Sequence, residues 1–299
     1  MSEETVLSLD IKEVPLFRKG KVREVYDLGE ELLFVVTDRL SAFDVVMPNG
    51  IPDKGKVLNM ISVFWFNFTA DIAENHMITV DIDEIIQRYD MLKPYKDILN
   101  GRSMLVRKAE PVSAECIVRG YLSGSGWKDY KREGKVCGIQ LPEGLNESEK
   151  LAEPIFTPST KADSGHDMNI SEDELKEALG EELLKFLKET SIALYKKASE
   201  YARSKGIIIA DTKFEFGKIG NKIILMDEAL TPDSSRFWPL DDYETGRAQK
   251  SFDKQFVRDY LETLDWDKTP PGPELPTDIV KKTQNKYLQA YEILTGERL

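Results

Sequence analysis

Aspartate, lysine and glutamate occupy alternate positions in the segment ADTKFEFG, residues 210–217. Side chains along a β-strand alternate between faces with a period of two. Asp211, Lys213 and Glu215 therefore share one face, and Thr212, Phe214 and Phe216 the other. The second face asks for a core. The first is a row of charges, either a solvated sheet face laced with cross-strand ion pairs or a site for a charged ligand. KIILMDEAL follows, with Asp227 on the pleat face of Ile223 and Leu225 and Glu228 on that of Ile224 and Met226. One of these acids must enter apolar surroundings or lie at the strand's end. A buried carboxylate pairs, takes a proton or binds a cation. A hairpin that sets Asp227 near Glu215 makes two carboxylates converge beside Lys213.

Candidate anion-binding groups surround this stretch in the sequence. LTPDSSRFW makes a turn from Pro232, Asp233 and two serines, Ser234 and Ser235, with Arg236 beyond it. An arginine fork binds two oxygens at once and suits phosphate or carboxylate; an arginine stacked on Phe237 or Trp238 is the alternative. IVRGYLSGSGW puts Arg119 at a strand end ahead of Gly124, Ser125 and Gly126. Glycine-rich turns let backbone N–H groups approach a phosphate closely. KGKVREVYD gathers Lys19, Lys21 and Arg23 beside Gly20, either cations laid over a nucleotide's phosphates or a solvated basic strand. It has neither G-x-x-x-x-G-K-[ST] nor G-x-G-x-x-G.

These groups need elements to position them. KGKVREVYDLGEELLFVVTD reads as a hairpin of two β-rich runs separated by DLGEE. In VLNMISVFWFNFTADI, Val57, Ile61, Phe64, Phe68 and Ile72 fall at helical spacing. RSMLVRKAE and AECIVRGYL are strands, with Pro111 marking the break between them. Residues 142–165 are rich in Pro, Ser, Thr and Gly and read as one long loop, a feature that is functional or unstructured in compact domains. Ser171 with Glu174 is a capping box opening a helix that Gly180 interrupts. The next helix ends at Gly206 and presents Leu183, Leu187, Leu194, Ala198 and Tyr201 to a core. IIIADTKFEFG and KIILMDEAL pair through KIGN. A helix starting near Ser251 buries Phe252, Phe256, Tyr260 and Leu264. PPGPELP is a stiff linker, and a last helix runs through Tyr287 and Tyr291.

Composition narrows the chemistry. The 299 residues are 41% hydrophobic, enough for one or two domains with a substantial core. No apolar run approaches the roughly 20 residues that cross a bilayer, and MSEETVLSLDIKEVP lacks the basic and apolar regions of a signal peptide. Cys116 and Cys137 are the only cysteines, too few for a disulfide framework. A cytoplasmic protein is expected. With His76 and His166 as the only histidines, a paired-histidine zinc site is excluded, and neither sits in a nucleophile motif. Any metal is expected to be oxygen-bound, magnesium before zinc. A net charge of -12 argues against broad phosphate neutralisation on nucleic acid. An anionic small molecule would need cations gathered locally.

KGKVREVYD, SAFDVVMP, AECIVRGYLSGSGW, PIFTPSTKADSGHD, DTKFEFG and LMDEALTPDSSRFW stand in this order. Together, from about Phe17 to Trp238, they resemble the SAICAR synthetase (phosphoribosylaminoimidazole-succinocarboxamide synthase) family of purine biosynthesis. The GSGW and TPSTKADSGHD stretches are similar to its longer form. The resemblance implies an ATP-dependent amide ligase that joins carboxyaminoimidazole ribonucleotide (CAIR) to L-aspartate. The products are SAICAR, ADP and phosphate, the route is an acyl phosphate, and ATP and Mg2+ are the cofactors. It implies an α+β fold, with an N-terminal antiparallel β-sheet nucleotide-binding domain like a kinase small lobe (residues 1–112). This packs on a larger α/β domain with the C-terminal helices (residues 113–299), with ATP in the cleft between them.

Residue by residue, the resemblance assigns Lys21, Val22, Arg23 and Val25 to the strand covering ATP. Arg107, where the family often has lysine, is a phosphate contact; Lys108 and Ala109 meet adenine, and Glu115 the ATP ribose. Glu215 and Asp227 match the magnesium ligands. Lys213, with Asp211, is catalytic beside the reacting carboxylate. Asp44, Arg119, Ser125, Ser235 and Arg236 match contacts to the ribotide substrate, and Lys161 and His166 fall in the loop at the aspartate end. The implied partners are small molecules alone, with no nucleic acid and no membrane, on a monomer or small homo-oligomer. Two rival readings stay open: a small-molecule kinase that stops at phosphoryl transfer, and a nucleotide sensor without turnover.

Overall fold

The structure is a computed structural model that describes residues 5–160, 169–252 and 254–299. The chain opens with strands β1 (Leu16–Lys19), β2 (Arg23–Asp27) and β3 (Glu31–Val36), then the short β4 (Ser41–Ala42) and β5 (Val45–Val46). Helix α1 (Lys54–Phe68), β6 (Met77–Thr79), α2 (Ile82–Arg88), α3 (Lys96–Leu99) and β7 (Ser103–Arg107) follow. Next come β8 (Glu110–Tyr121), α4 (Gly124–Glu133), β9 (Lys135–Val136), β10 (Ile139–Gln140), β11 (Lys150–Phe156) and β12 (Ser159–Thr160). Helices α5 (Glu172–Leu179) and α6 (Glu181–Ser204) lead into β13 (Ile207–Ile219), β14 (Lys222–Met226) and β15 (Ser235–Pro239). The chain closes with α7 (Gln255–Leu261) and α8 (Thr277–Thr295). The fold is α+β.

Two compact units emerge. The first comprises Met1–Phe66, His76–Lys108 and Phe252–Leu299, and the second Asn67–Asn75 and Ala109–Ser251. The C-terminal helices, expected with the second domain, thus belong with the N-terminal sheet, and the chain passes out of the first unit after Lys108. The reason is apolar: α7, α8 and the segment joining them supply Val257, Leu261, Leu275 and Ile279 to a cluster with Leu40, Val45, Met47 and Ile51.

The first unit is built on an antiparallel sheet of order β1-β2-β3-β7-β6. The β2–β3 hairpin forms where the alternating Val/Tyr/Leu/Phe runs flank the Leu28–Glu30 turn, with Arg23 opposite Val36 and Asp27 opposite Leu32. Tyr26, Leu33, Val35 and Leu105 bury against Ile82, Ile85, Leu92 and Leu99. Helix α1 ends at Phe68, short of the expected Ile72, and Trp65 and Phe66 are buried with Val57 and Ile61. Most of its circumference is covered, so the stripe read from spacing understates its burial.

The second unit holds a sheet of order β11-β8-β13-β14, with β12 also on β8 and β15 on β13. Helix α6 covers it with Leu184, Leu187, Ser191, Leu194, Tyr195, Ala198 and Ala202, while Leu183 and Tyr201 flank this stripe half-buried. Pro111 does not break the chain between strands; it lies inside β8 opposite Gly217, and the break falls at Lys108 and Ala109. The stretch 142–165 is not one loop, because β11 and β12 lie within it. Both pair with β8, and β11 does so with a register shift between Lys150 and Ile155, around Pro154. An edge position tolerates proline, which has no N–H to give to a ladder.

Gly120 on β8 faces Tyr195 of α6, whose hydroxyl donates to the Ile209 carbonyl at 2.6 Å. A Cβ on Gly120 would stand 2.0 Å from that hydroxyl oxygen. Gly120→Ala should therefore push α6 off the sheet and lower stability by about 1–3 kcal/mol, the usual cost of overfilling a packed core. Urea unfolding followed by circular dichroism measures it, and an unchanged midpoint would contradict this account of the contact.

Candidate active site

The charged face lies on the pair β8 and β13. Their antiparallel register sets Asp211 opposite Arg119, Lys213 opposite Ile117 and Glu215 opposite Glu115. The other face carries Phe214 and Phe216, exposed by 0% and 1%. ADTKFEFG is thus a strand with one core face and one charged face, and its charges meet those of the neighbouring strand.

At one end of this face, Arg119 is buried and every branch of its guanidinium is engaged. Nε donates to Thr157 Oγ1, Nη1 to Asp211 Oδ2 and Nη2 to Ser125 Oγ, each at 3.0 Å. Arg236 on β15 donates to the same Oδ2. Asp211 therefore holds two guanidiniums, and this triad carries one more positive than negative charge. Burial pulls the Arg119 pKa below its ordinary value against the field of Asp211, but a guanidinium remains charged in proteins. Gly124 opens α4 with a φ of 56° and leaves the space that Arg236 fills; a Cβ there would stand 2.2 Å from Arg236 Nη2. Ser123 is the N-cap of α4, yet its side chain makes no capping bond. Its buried hydroxyl has no hydrogen-bond partner among the described residues.

At the other end, Glu115 and Glu215 stand directly opposite each other. Like charges in that relation repel, and Lys213 bridges them. Its ammonium bonds Glu115 Oε1 and lies 4.0 Å from Glu215 Oε1. Glu115 Oε2 also accepts from Ser159 Oγ at 3.1 Å. Burial pulls the Lys213 pKa down, but the Glu115, Glu215 and Glu228 carboxylates outweigh it and leave it raised above its ordinary value. Lys213 is therefore a lasting cation. Strand β14 stops at Met226, opposite Glu215. Asp227 follows with a φ of 70°, a left-handed conformation that aspartate tolerates better than most residues. Both Asp227 and Glu228 lie at the strand's end, half-buried, the second of the two placements the pleat allowed.

Ser235 is the exception on this unit. Its buried hydroxyl meets Thr212 Oγ1 at 2.8 Å, and Thr212 belongs to the core side of β13. Ala109 opens the longer segment of the unit, half-buried. Sequence reasoning missed Thr157 and Ser159, which hold Arg119 and Glu115, because both lie in the stretch read as a loop. The hydroxyl run TPST was the available signal. Lys161 and His166 lie outside the described residues.

The first unit carries the remaining expected residues. Lys21 ion-pairs with Asp44, both about half exposed, and Asp44 has a φ of 64°. Arg23 is buried with its Cζ 5.5 Å from the Phe34 ring centroid, a cation–π arrangement. Val22 is half-buried, and its carbonyl accepts from Thr37 N at 2.9 Å; Val25 is buried in β2. Arg107 ends β7, its N–H donating to the His76 carbonyl at 2.9 Å, and Lys108 Nζ donates to Asp27 Oδ1 at 2.7 Å.

Comparison with known proteins gives this geometry a context. The family described as SAICAR synthetase matches residues 16–273. The chain belongs to that family. The phosphoribosylaminoimidazole-succinocarboxamide synthase of Thermodesulfovibrio yellowstonii is 58% identical over 97% of this chain and 99% of its own length. That of Trichlorobacter lovleyi is 59% identical over 97% and 98%. The SAICAR synthase of Saccharomyces cerevisiae, solved in complex with SAICAR, superposes with a TM-score of 0.89 at 45% identity, covering 99% of this chain and 98% of that one. The family's reaction is ATP-dependent ligation of CAIR and L-aspartate in purine biosynthesis, and it is the reaction of this chain; a kinase that stops at phosphoryl transfer and a sensor without turnover are not favoured. No helix among the described residues is long and apolar enough to cross a membrane.

The Arg119–Asp211–Arg236 triad makes a sharp stability prediction. Asp211→Asn removes the charge that two guanidiniums share and leaves Arg119 buried without it. Breaking a buried pair from one side costs about 3–5 kcal/mol, and chemical denaturation should return a loss in that range. A variant as stable as the parent would mean that Asp211 does not hold the arginines.

Proposed function

We propose that the charged face of β8 and β13 carries out the ligation through an acyl phosphate, with the side chains in defined roles. A carboxylate is a poor acylating agent. An oxygen of the CAIR carboxylate attacks the γ-phosphorus of ATP, the bond to ADP breaks, and a mixed anhydride forms. The amine of aspartate then attacks the acyl carbon and loses a proton, and phosphate departs with the carboxylate oxygen. The first step drives two anions together, and its barrier falls only where preorganised positive charge receives them. Lys213 meets that need: a half-buried ammonium held at a fixed place by Glu115 and Glu215.

The observation that carries the reading is the triad beside α4. Arg119 and Arg236, fixed by Asp211, stand with Ser125 and the unpartnered hydroxyl of Ser123 at a helix start, a set of donors suited to a phosphate. We assign it to the ribotide. Asp211 then acts by orienting the two arginines, and Ser235 acts through Thr212 in supporting Arg236. In the first unit, Lys21, Arg23 and Arg107 serve ATP phosphates, Val22 and Val25 shape the covering strand, and Asp44 engages the ribotide. Lys108 and Ala109 offer main-chain groups to adenine. Glu115 is assigned the ATP ribose, a role it would share with its bond to Lys213.

Glu215 and Asp227 are our candidates for magnesium. Their donors are oxygen only, and among the described residues no group of three or more His, Cys, Asp and Glu side chains gathers as a cage. Magnesium suits such a place, being held typically by one or two carboxylates together with substrate phosphates and water. When bound, it supplies neutralising charge to the phosphates. We place the enzyme in the cytoplasm, in keeping with two free cysteines.

With the CAIR carboxylate labelled by 18O, incubation with ATP, magnesium and aspartate should give SAICAR by mass and label in the released phosphate. Unlabelled phosphate beside labelled product would exclude the acyl phosphate. Lys213→Met tests the cation. Its kcat should fall by about 10²–10³, the usual effect of deleting one preorganised charge-stabilising donor, while KM for ATP moves little. A destabilised variant with near-parental kcat would reduce Lys213 to an ion-pair partner of Glu115 and Glu215.

A further inference from the structure

Arg39 plays no part in the chemistry above, yet every donor of its guanidinium is used. Its side chain is 8% exposed. Nε donates to the Lys21 carbonyl at 2.9 Å, and Nη2 to those of Gly20 and Arg23 at 3.0 and 3.4 Å. Nη1 donates to the Leu7 carbonyl and, at 2.8 Å, to Glu24 Oε1. Three of its acceptors are thus main-chain carbonyls around the turn from β1 into β2, the KGKVR stretch.

The direction of those carbonyls has a consequence. In a trans peptide the C=O and N–H point opposite ways. Drawing the carbonyls of Gly20 and Lys21 onto Arg39 turns the N–H groups of Lys21 and Val22 away from it. Successive N–H groups aimed to one side make a concavity for anionic oxygen, and Lys21 brings an exposed ammonium to the same turn. The anchor behind Arg39 is firm. Glu24 is 1% exposed and accepts in addition from Leu9 N and the Tyr26 hydroxyl, each at 3.0 Å. Burial pushes the Glu24 pKa up, but Arg39 and the other donors hold it below its ordinary value, so the pair is ionic.

We propose that Arg39 is a positioning residue for ATP, holding the turn of residues 19–22 in the form that presents the Lys21 and Val22 N–H groups to phosphate oxygens. This rests on the assignment of that turn to the nucleotide. Arg39→Lys tests it, since lysine keeps a positive charge near Glu24 but is a point charge that cannot hold three carbonyls as a planar fork does. Calorimetric titration with MgATP should show affinity weakened roughly tenfold, the effect of losing one or two such hydrogen bonds. KM for ATP should rise with it, while KM for CAIR and for aspartate stay put.

Parallel rises in all three KM values, or unchanged ATP affinity, would overturn the positioning role. Lys21→Ala separates the layers of the argument. Unchanged ATP affinity there removes the turn's assignment itself, whereas a defect there with none in Arg39→Lys removes only the role of Arg39. Should Arg39→Lys fail to fold, hydrogen exchange on the unaltered enzyme decides. MgATP should slow exchange at the Lys21 and Val22 amides, and equal rates with and without it would refute the proposal.

Discussion

Sliding β8 by one residue along β13 would turn Arg119 away from Asp211 and set Glu115 among the phenylalanines of the core side. Register in a half-buried ladder is all or nothing, because a one-residue slip exchanges the faces of every side chain. Cys116 and Val118 of β8, fully buried opposite Phe214 and Thr212, make that slip prohibitive, since it would turn both out of the core. The apolar side of the two strands thus fixes the pairing, and the pairing delivers Asp211 to Arg119, Glu215 to Glu115 and Lys213 between the two acids. Packing on one side of the sheet determines the electrostatics of the other.

Those electrostatics answer the problem posed by an acidic chain that handles anionic substrates. Net charge is -12, yet positive charge is concentrated where the ladder places it. Several of these cations are held in ion pairs whose acids have further partners. Asp211 spans two arginines, Glu115 is pinned by Ser159, and Arg39 is pinned to Glu24. Side chains with so few conformations left lose little entropy when a ligand arrives, the usual meaning of a preorganised site.

Much of this was legible in the residues. Period-two alternation located β2, β3, β13 and β14, and the capping box of Ser171 and Glu174 is present as read. The charged row was evident because no core could use it. What escaped had local causes. KLAEPIF carries Pro154 and little alternation, so only its pairing with β8 makes it a strand. The helix expected from near Ser251 begins at Gln255 and buries Val257 and Leu261, with Phe256 and Tyr260 partly covered; short helices owe their limits to tertiary contacts more than to propensity. Glu115 was matched to a ribose through family resemblance, while its bond to Lys213 spans 98 residues of sequence and no local pattern announces it. The membership of α7 and α8 in the first unit was likewise hidden, since it depends on which apolar surfaces meet.

That membership bears on how the polypeptide comes off the ribosome. Domains fold as units while synthesis proceeds, but the first unit is discontinuous, its last segment beginning at Phe252. Until that segment emerges, Leu40, Val45, Met47 and Ile51 lack the side chains that cover them. The second unit, complete at Ser251, has all its strands before then. The part of the chain translated first is therefore finished last, and its nascent apolar surface stays open to chaperones for the whole time the second unit is being made.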